Sequence, residues 1–166
     1  VDFNQAKPKI NAVGDLQNTN LKELGFSKNK IQLTGLLDIN FNGDSIDNFL
    51  GYAKFYNGQL KGEKSVVRFD SITLHSSIEK GIKYLRLASD DISANLFGKF
   101  NISHLPASIQ YFMQRYLPSY IPAPKNTPAN QIFDIQVKTN YIEPFIRIFN
   151  SSFSGFNNLN FTGAIN

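Results

Sequence analysis

Few residues of this chain are of a type that does chemistry. There are two histidines, His75 and His104, and no cysteine. Histidine works as an acid, a base or a metal ligand only with a partner held at a defined place. His75 stands beside Ser76 and Ser77 in an alternating stretch, His104 opens a helical pattern, and neither forms a ligand spacing with a carboxylate. Both read as surface or structural groups. Asp90 and Asp91, in "ASDDIS", are neighbouring carboxylates that could share a cation. The spacing of an oxygen-ligand loop is missing, however, and a solvated turn is the simpler reading. Ser-Gly pairs occur without a nucleophile elbow, and no glycine-rich phosphate loop is present. Asn101-Ile102-Ser103, Asn150-Ser151-Ser152 and Asn160-Phe161-Thr162 match the glycosylation acceptor pattern, which a chain this rich in asparagine produces by chance. The absence of cysteine removes disulfides, thiol nucleophiles and thiolate metal sites. Nothing here implies a cofactor or a metal, and nothing supports an enzyme.

The signal lies instead in the elements. In "KIQLTGLLDINFNG", positions 30–43, Ile31, Leu33, Leu37, Ile39 and Phe41 fall on every second position, with Gly35 in the same row; Gln32, Thr34, Asp38 and Asn40 fall opposite. That is the period of a half-buried strand. "NGDSIDN" follows as a turn, and "LGYAKFYN" returns with Gly51, Ala53 and Phe55 on one side. In "SVVRFDSITLHSSI", Phe69 is out of phase with Ile72, Leu74, Ser76 and Ile78, which predicts a bulge or register change near Asp70. "IKYLRLAS" pairs Leu85 with Leu87. "DISANLFGKFNI" places Ile92, Ala94, Leu96, Gly98, Phe100 and Ile102 on one face. Phe133, Ile135 and Val137 alternate in a later strand, and "LNFTGAIN" repeats the theme. Before the first long strand, 9–13 reads as a short strand, and Asn18 or Asn20 caps a single helical turn that Gly25 ends.

The period changes once for long. Leu105, Ile109, Phe112, Met113 and Tyr116 form a stripe at helical spacing, with Ser103 as N-cap and Pro118 as the stop, which predicts a helix over 103–117. "IPAPKNTPAN" is too proline-rich for regular structure. A shorter helix is predicted in "NYIEPFIRIFN", capped by Asn140. The order strand, short helix, Gly-Phe, strand occurs twice, Gly25-Phe26 matching Gly155-Phe156, as a divergent internal repeat would.

At 166 residues, 42% hydrophobic and 18% charged, the chain can bury a core. The net charge of +4 comes from 17 basic and 13 acidic residues without a Lys/Arg run, so no nucleic-acid partner is expected. No run of about 18 apolar residues exists to form a spanning helix, and "VDFNQAKPKI" has no signal-peptide core. The chain begins mid-pattern and its pattern ends mid-strand at Asn166, so it is expected to be a piece of a longer protein. Its repeated apolar face is ordinarily a packed core. Small residues in the inward row (Gly35, Gly51, Ala53, Ala94, Gly98) suggest room over a curved sheet, to be filled by the 103–117 helix or by a ligand chain.

Four phrases carry a family resemblance: "LTGLLDINFNGDSIDNFLG", "VVRFDSITLHSS", "YLRLASDDISANLFGKF" and "LPASIQYFMQRYLP". In this order, positions 30–118 resemble the long periplasmic proteins of the TamB and AsmA-like group in its Bacteroidota form. The resemblance implies a mainly β fold: a curved antiparallel sheet forming a U-shaped apolar groove, with one longer and one or two short α-helices. It implies a strand-rich unit over 1–122, closed by the 103–117 helix, and a truncated second unit over 123–166. The implied lining is Leu33, Leu37, Ile39, Phe41, Phe55, Leu85, Leu87, Leu96, Phe100, Phe133 and Ile135. The implied function is to shield phospholipid acyl chains between inner and outer membrane, in the periplasm of a Gram-negative bacterium, with an inner-membrane anchor outside this chain. The alternative is a scaffold of the translocation and assembly module type, which binds a BamA-like outer-membrane barrel by strand addition and conducts no lipid. No catalytic motif comes with the family.

Overall fold

The computed structural model describes residues 8–24, 27–63, 65–116, 118–119, 121–125, 131–149 and 154–165. Eight strands follow one another as β1 (Lys9–Asn20), β2 (Gln32–Asn42), β3 (Leu50–Lys61), β4 (Val66–Glu79), β5 (Ile82–Ser89), β6 (Ile92–Lys99), β7 (Ile132–Thr139) and β8 (Asn160–Ile165). Each pairs antiparallel with the next, giving one sheet in sequence order. Among the described residues β1 and β8 pair on one side only, so the sheet is open. Two α-helices interrupt the meander: α1 (Leu105–Tyr116) between β6 and β7, and α2 (Glu143–Phe149) between β7 and β8. The fold is mainly β, a curved antiparallel sheet with few helices. β7 and β8, from the 123–166 segment, continue this same sheet.

Three expectations shift, the first at Ser103: expected as the N-cap of α1, it lies inside a 3-10 turn over Ile102–His104 that runs into the helix, and its hydroxyl donates to Asp47 at 2.6 Å. β1 runs to Asn20, well past the expected 9–13, because it pairs with β2 along its whole length, down to Asn20 opposite Gln32. An edge strand needs pairing more than it needs alternation. Asn20 still caps a turn: its Oδ1 accepts from the Lys22 N–H at 3.2 Å, and its carbonyl from the Leu24 N–H at 3.3 Å. Asn140 does not cap α2. Its N–H and side chain bond to the carbonyls of Asp91 and Asp90, and Asn157 Oδ1 accepts the Glu143 N–H at 3.0 Å instead. The Gly25-Phe26 half of the repeat and the helix end at Leu117 lie outside the described residues.

The sheet has two chemically distinct faces, because side chains directly opposite on antiparallel strands share a face. Ladder pairs link Ala12, Ile39, Ala53, Leu74, Leu87, Ala94, Val137 and Phe161 in one row through all eight strands. The neighbouring row is Ile10, Phe41, Gly51, Ser76, Leu85, Leu96, Ile135 and Gly163. On the other face the ladder joins Asn40, Tyr52, His75, Arg86, Asn95, Gln136 and Thr162.

A crease crosses the first four strands. Asn18 in β1 and Asn57 in β3 adopt positive φ (53° and 51°), a conformation asparagine tolerates best after glycine. Pairing shifts between Leu16 and Thr19 in β1 and between Thr34 and Leu36 in β2. The register change expected near Asp70 does not occur: β4 keeps one register with β3 on both sides, Tyr56 opposite Ser71 and Gly58 opposite Phe69. Only the inward phase of β4 changes there, with Val67 buried on one side and Ser76 on the other. Beyond the crease the long arms of β1–β4 fold around α2. Leu21, Ile31, Leu60, Val67 and Ile148 form a buried cluster there, with Leu33, Phe69 and Phe145 packed against it. A second cluster, Leu85, Leu96, Phe100, Leu105 and Phe133, lies under α1. Curvature is plain from the contacts of α2, which follows β7 in the chain yet packs against β3 and β4.

Candidate functional site

Among the described residues the inward face is an extended, mainly apolar surface, and its two halves differ. Over β1–β4 it is partly open. A cavity of about 440 Å³ lies there, walled by Ile10, Phe41, Ala53 and Leu74 from the strands and by Phe49 and Ser45 from the 43–49 loop. Phe49 is buried, with its ring 5.1 Å from that of Phe41. Over β5–β8 the face is roofed by α1. Leu105 plugs the cluster around Phe133, where the Phe100 and Phe133 rings stand 5.5 Å apart. Further along, α1 stands off the sheet. A cavity of about 280 Å³ separates Ile109, Phe112 and Met113 from Ile135, Phe161 and Ile165, and every residue lining it is apolar or glycine.

Nine of the eleven expected lining residues share this face through ladder pairing. Leu37 opposes Phe55; Ile39 and Leu87 belong to one row; Phe41, Leu85, Leu96 and Ile135 belong to the next; Phe133 lies opposite Gly98 beside them. Leu85, Leu96 and Phe133 are buried, and so is Phe100, just past β6, because α1 covers them. Leu37, Ile39, Phe41, Phe55, Leu87 and Ile135 are half-buried. Leu33 lies beyond the crease and packs on the α2 cluster instead. The small inward residues do not all leave room. A Cβ on Gly35, whose φ is 144°, would stand 2.9 Å from the Phe55 ring. At Gly58 the Phe69 ring already occupies the space of a side chain, with an atom 2.0 Å from where a Cβ would be. Protein rings fill these gaps, as aromatics do over sheet glycines.

Two buried polar side chains, Lys83 and Ser76, interrupt the apolar face. Lys83 lies opposite Gly98 on the inward side and is 7% exposed. Its ammonium sits 5.4 Å from the Phe100 ring centroid and donates to the Asp47 carbonyl. Burial pushes the Lys83 ammonium below its usual value, while the charge of Asp47 pulls it back. Asp47 in turn is bound by Ser103, just before α1: the Ser103 N–H donates to Oδ1 at 2.8 Å and its hydroxyl to Oδ2 at 2.6 Å. Those two bonds hold the Asp47 carboxyl below the usual carboxylate range. One row further in, Ser76 Oγ is buried with no hydrogen-bond partner. Sequence reasoning missed this group, although Lys83 shares the parity of Leu85 and Leu87 in "IKYLRLAS". A lysine in phase with an apolar row was the available signal.

The residues first weighed for chemistry are dispersed. His75 faces outward between Tyr52 and Arg86. His104, exposed, uses its carbonyl to accept the Ser108 hydroxyl. Asp91 accepts the Tyr141 N–H at 3.2 Å, and the Asp90 carbonyl accepts the side-chain amide of Asn140 at 2.8 Å. Among the described residues no group of three or more carboxylates and histidines is arranged to hold a metal ion. No helix among them is long and apolar enough to cross a membrane.

Compared with family models, curated proteins and solved structures, the chain matches none.

Proposed function

We propose that this chain is a segment of a bridge-like periplasmic protein that shields phospholipid acyl chains along an apolar β-groove between inner and outer membrane. The resemblance of positions 30–118 to the TamB and AsmA-like group supports this reading. The observation that carries it is the pair of inward rows that run through all eight strands of an open sheet. At about 4.8 Å per strand they extend roughly 34 Å. A chain laid on such a strip gains about 0.8 kcal/mol per buried CH₂ wherever it lies. It therefore slides among equivalent positions and is not fixed at one. The open β1–β4 half, with its cavity of about 440 Å³, is the part ready to take an occupant.

One observation favours the second reading, a packed scaffold that recruits a BamA-like barrel by strand addition. α1 fills the β5–β7 half with protein side chains, and the β1 and β8 edges are unpaired among the described residues. Native mass spectrometry of the chain purified from a bacterial envelope, with a photo-crosslinking residue at Ala53, separates the two. The groove reading expects co-purifying phospholipid and a lipid adduct at Ala53. A lipid-free protein with no adduct removes it and leaves the scaffold.

A further inference from the structure

We propose that the Asp47–Ser103 contact is a latch that makes the two roofs of the apolar face open and close together. One roof is the 43–49 loop, which joins β2 to β3 and walls the larger cavity with Ser45 and Phe49. The other is α1, which follows β6 and walls the smaller cavity with Ile109, Phe112 and Met113. Fifty-six positions of chain separate Asp47 from Ser103, and both Asp47 carboxylate oxygens are engaged by the one serine.

Each roof is built to move as a body about this point. In the loop, Asn48 Oδ1 accepts the N–H groups of Asp44 and Ser45, both at 3.0 Å, so a displacement of Asp47 carries its neighbours with it. In α1 the fully buried residues lie in the first turns, Leu105 and Ser108; further along, Tyr111 and Met113 are 43% and 42% exposed, and Gln110 donates to the Pro122 carbonyl at 2.8 Å. A helix held at one end and standing over a cavity at the other pivots at the held end, and Ser103 lies two residues before it. What enters under one roof is therefore felt by the other, as a coupling between two sites requires. The coupling is a matter of movement alone. It holds for any apolar occupant, and the failure of the acyl-chain reading would leave it standing.

Amide hydrogen exchange, read residue by residue on this chain, tests it. Ser103→Ala removes the hydroxyl bond. Asp47→Asn removes the charge and leaves the carbonyl that Lys83 binds. Each variant should raise exchange about tenfold both in 43–49 and in Leu105–Tyr116, a factor in keeping with one charge-assisted hydrogen bond. Protection in β5 and β6 should stay as it is, and Ser103→Thr, which keeps a hydroxyl, should restore both roofs. Because both changes act on one contact, the double variant should exceed the larger single effect only slightly. A rise confined to one roof, or no rise in either, overturns the coupling. Lost protection in β5 and β6 also overturns it, because the contact would then hold the fold and not the roofs.

Discussion

The Phe69 ring lies across the strand pair from Gly58 and fills the space a side chain there would need. It is held in place from both sides, 5.5 Å from Phe55 and 5.9 Å from Phe145 in α2. This stack joins the inward face to the α2 cluster across the crease. Gly58→Ala should therefore cost stability although its backbone conformation is ordinary. The new methyl displaces a ring that has nowhere to go, and overpacking of this kind costs about 1–3 kcal/mol. Urea denaturation of the variant beside the parent measures it. Equal midpoints would mean that the ring moves freely and the crease is loosely packed.

Charge substitutions should separate the two halves of the face. Leu96 is 8% exposed under α1, so Leu96→Arg buries an unpaired cation and should destabilise the domain by about 3 kcal/mol or more. Leu37 is half-buried on the open side, where an introduced carboxylate can reach water, and Leu37→Asp should cost clearly less. Thermal melts of both variants decide the matter. Similar losses would show that the β1–β4 side is as closed as the other.

Lys83 gives a pH dependence with a definite sign. Its value in the folded protein lies below 10.5 because of burial, so between the two values the unfolded chain binds more protons than the folded one. Stability then rises with pH through that window. Lys83→Met removes this contribution. The stability of the parent relative to Lys83→Met should therefore increase on going from neutral pH towards 10.5, as measured by denaturation at several pH values. A constant difference would mean that the ammonium is well solvated.

Most of the sheet was legible because alternation is a direct imprint of a face that is buried on one side. The ladder rows join the residues that the period had selected, from Leu37 through Leu87 to Ile135. Alternation records the face but not what covers it. Whether Leu85 and Leu96 meet solvent or α1 depends on which way the helix that follows β6 folds back, and the alternation within the strands does not encode that. Leu33 shows the same limit at shorter range. It has the parity of Leu37, yet the shift between Thr34 and Leu36 and the left-handed residue Asn57 in β3 place it in another cluster. The latch was least visible of all. Asp47 lies in a turn and Ser103 reads as a helix cap, and only the curvature of the sheet brings them within 2.8 Å.

The groove reading makes a spatial prediction that a packed core does not share. Photo-crosslinking residues placed singly at Phe41, Ala53 and Phe133 sample the open cavity and the roofed cluster of the same face. In vesicle-treated protein, lipid adducts should form at Phe41 and Ala53 and not at Phe133, which is only 3% exposed. Adding Leu37→Asp should suppress the adducts at both open positions without unfolding the chain. Leu37 lies opposite Phe55 in the row beside Ile39 and Ala53, so an acyl chain laid on that strip would have to strip water from a carboxylate at its edge. That step costs several kcal/mol, more than the few methylene contacts it would gain nearby at about 0.8 kcal/mol each. Adducts that persist in Leu37→Asp would mean that lipid reaches Phe41 from bulk solvent and does not travel along the face. Adducts at all three positions would mean that α1 is no barrier in solution.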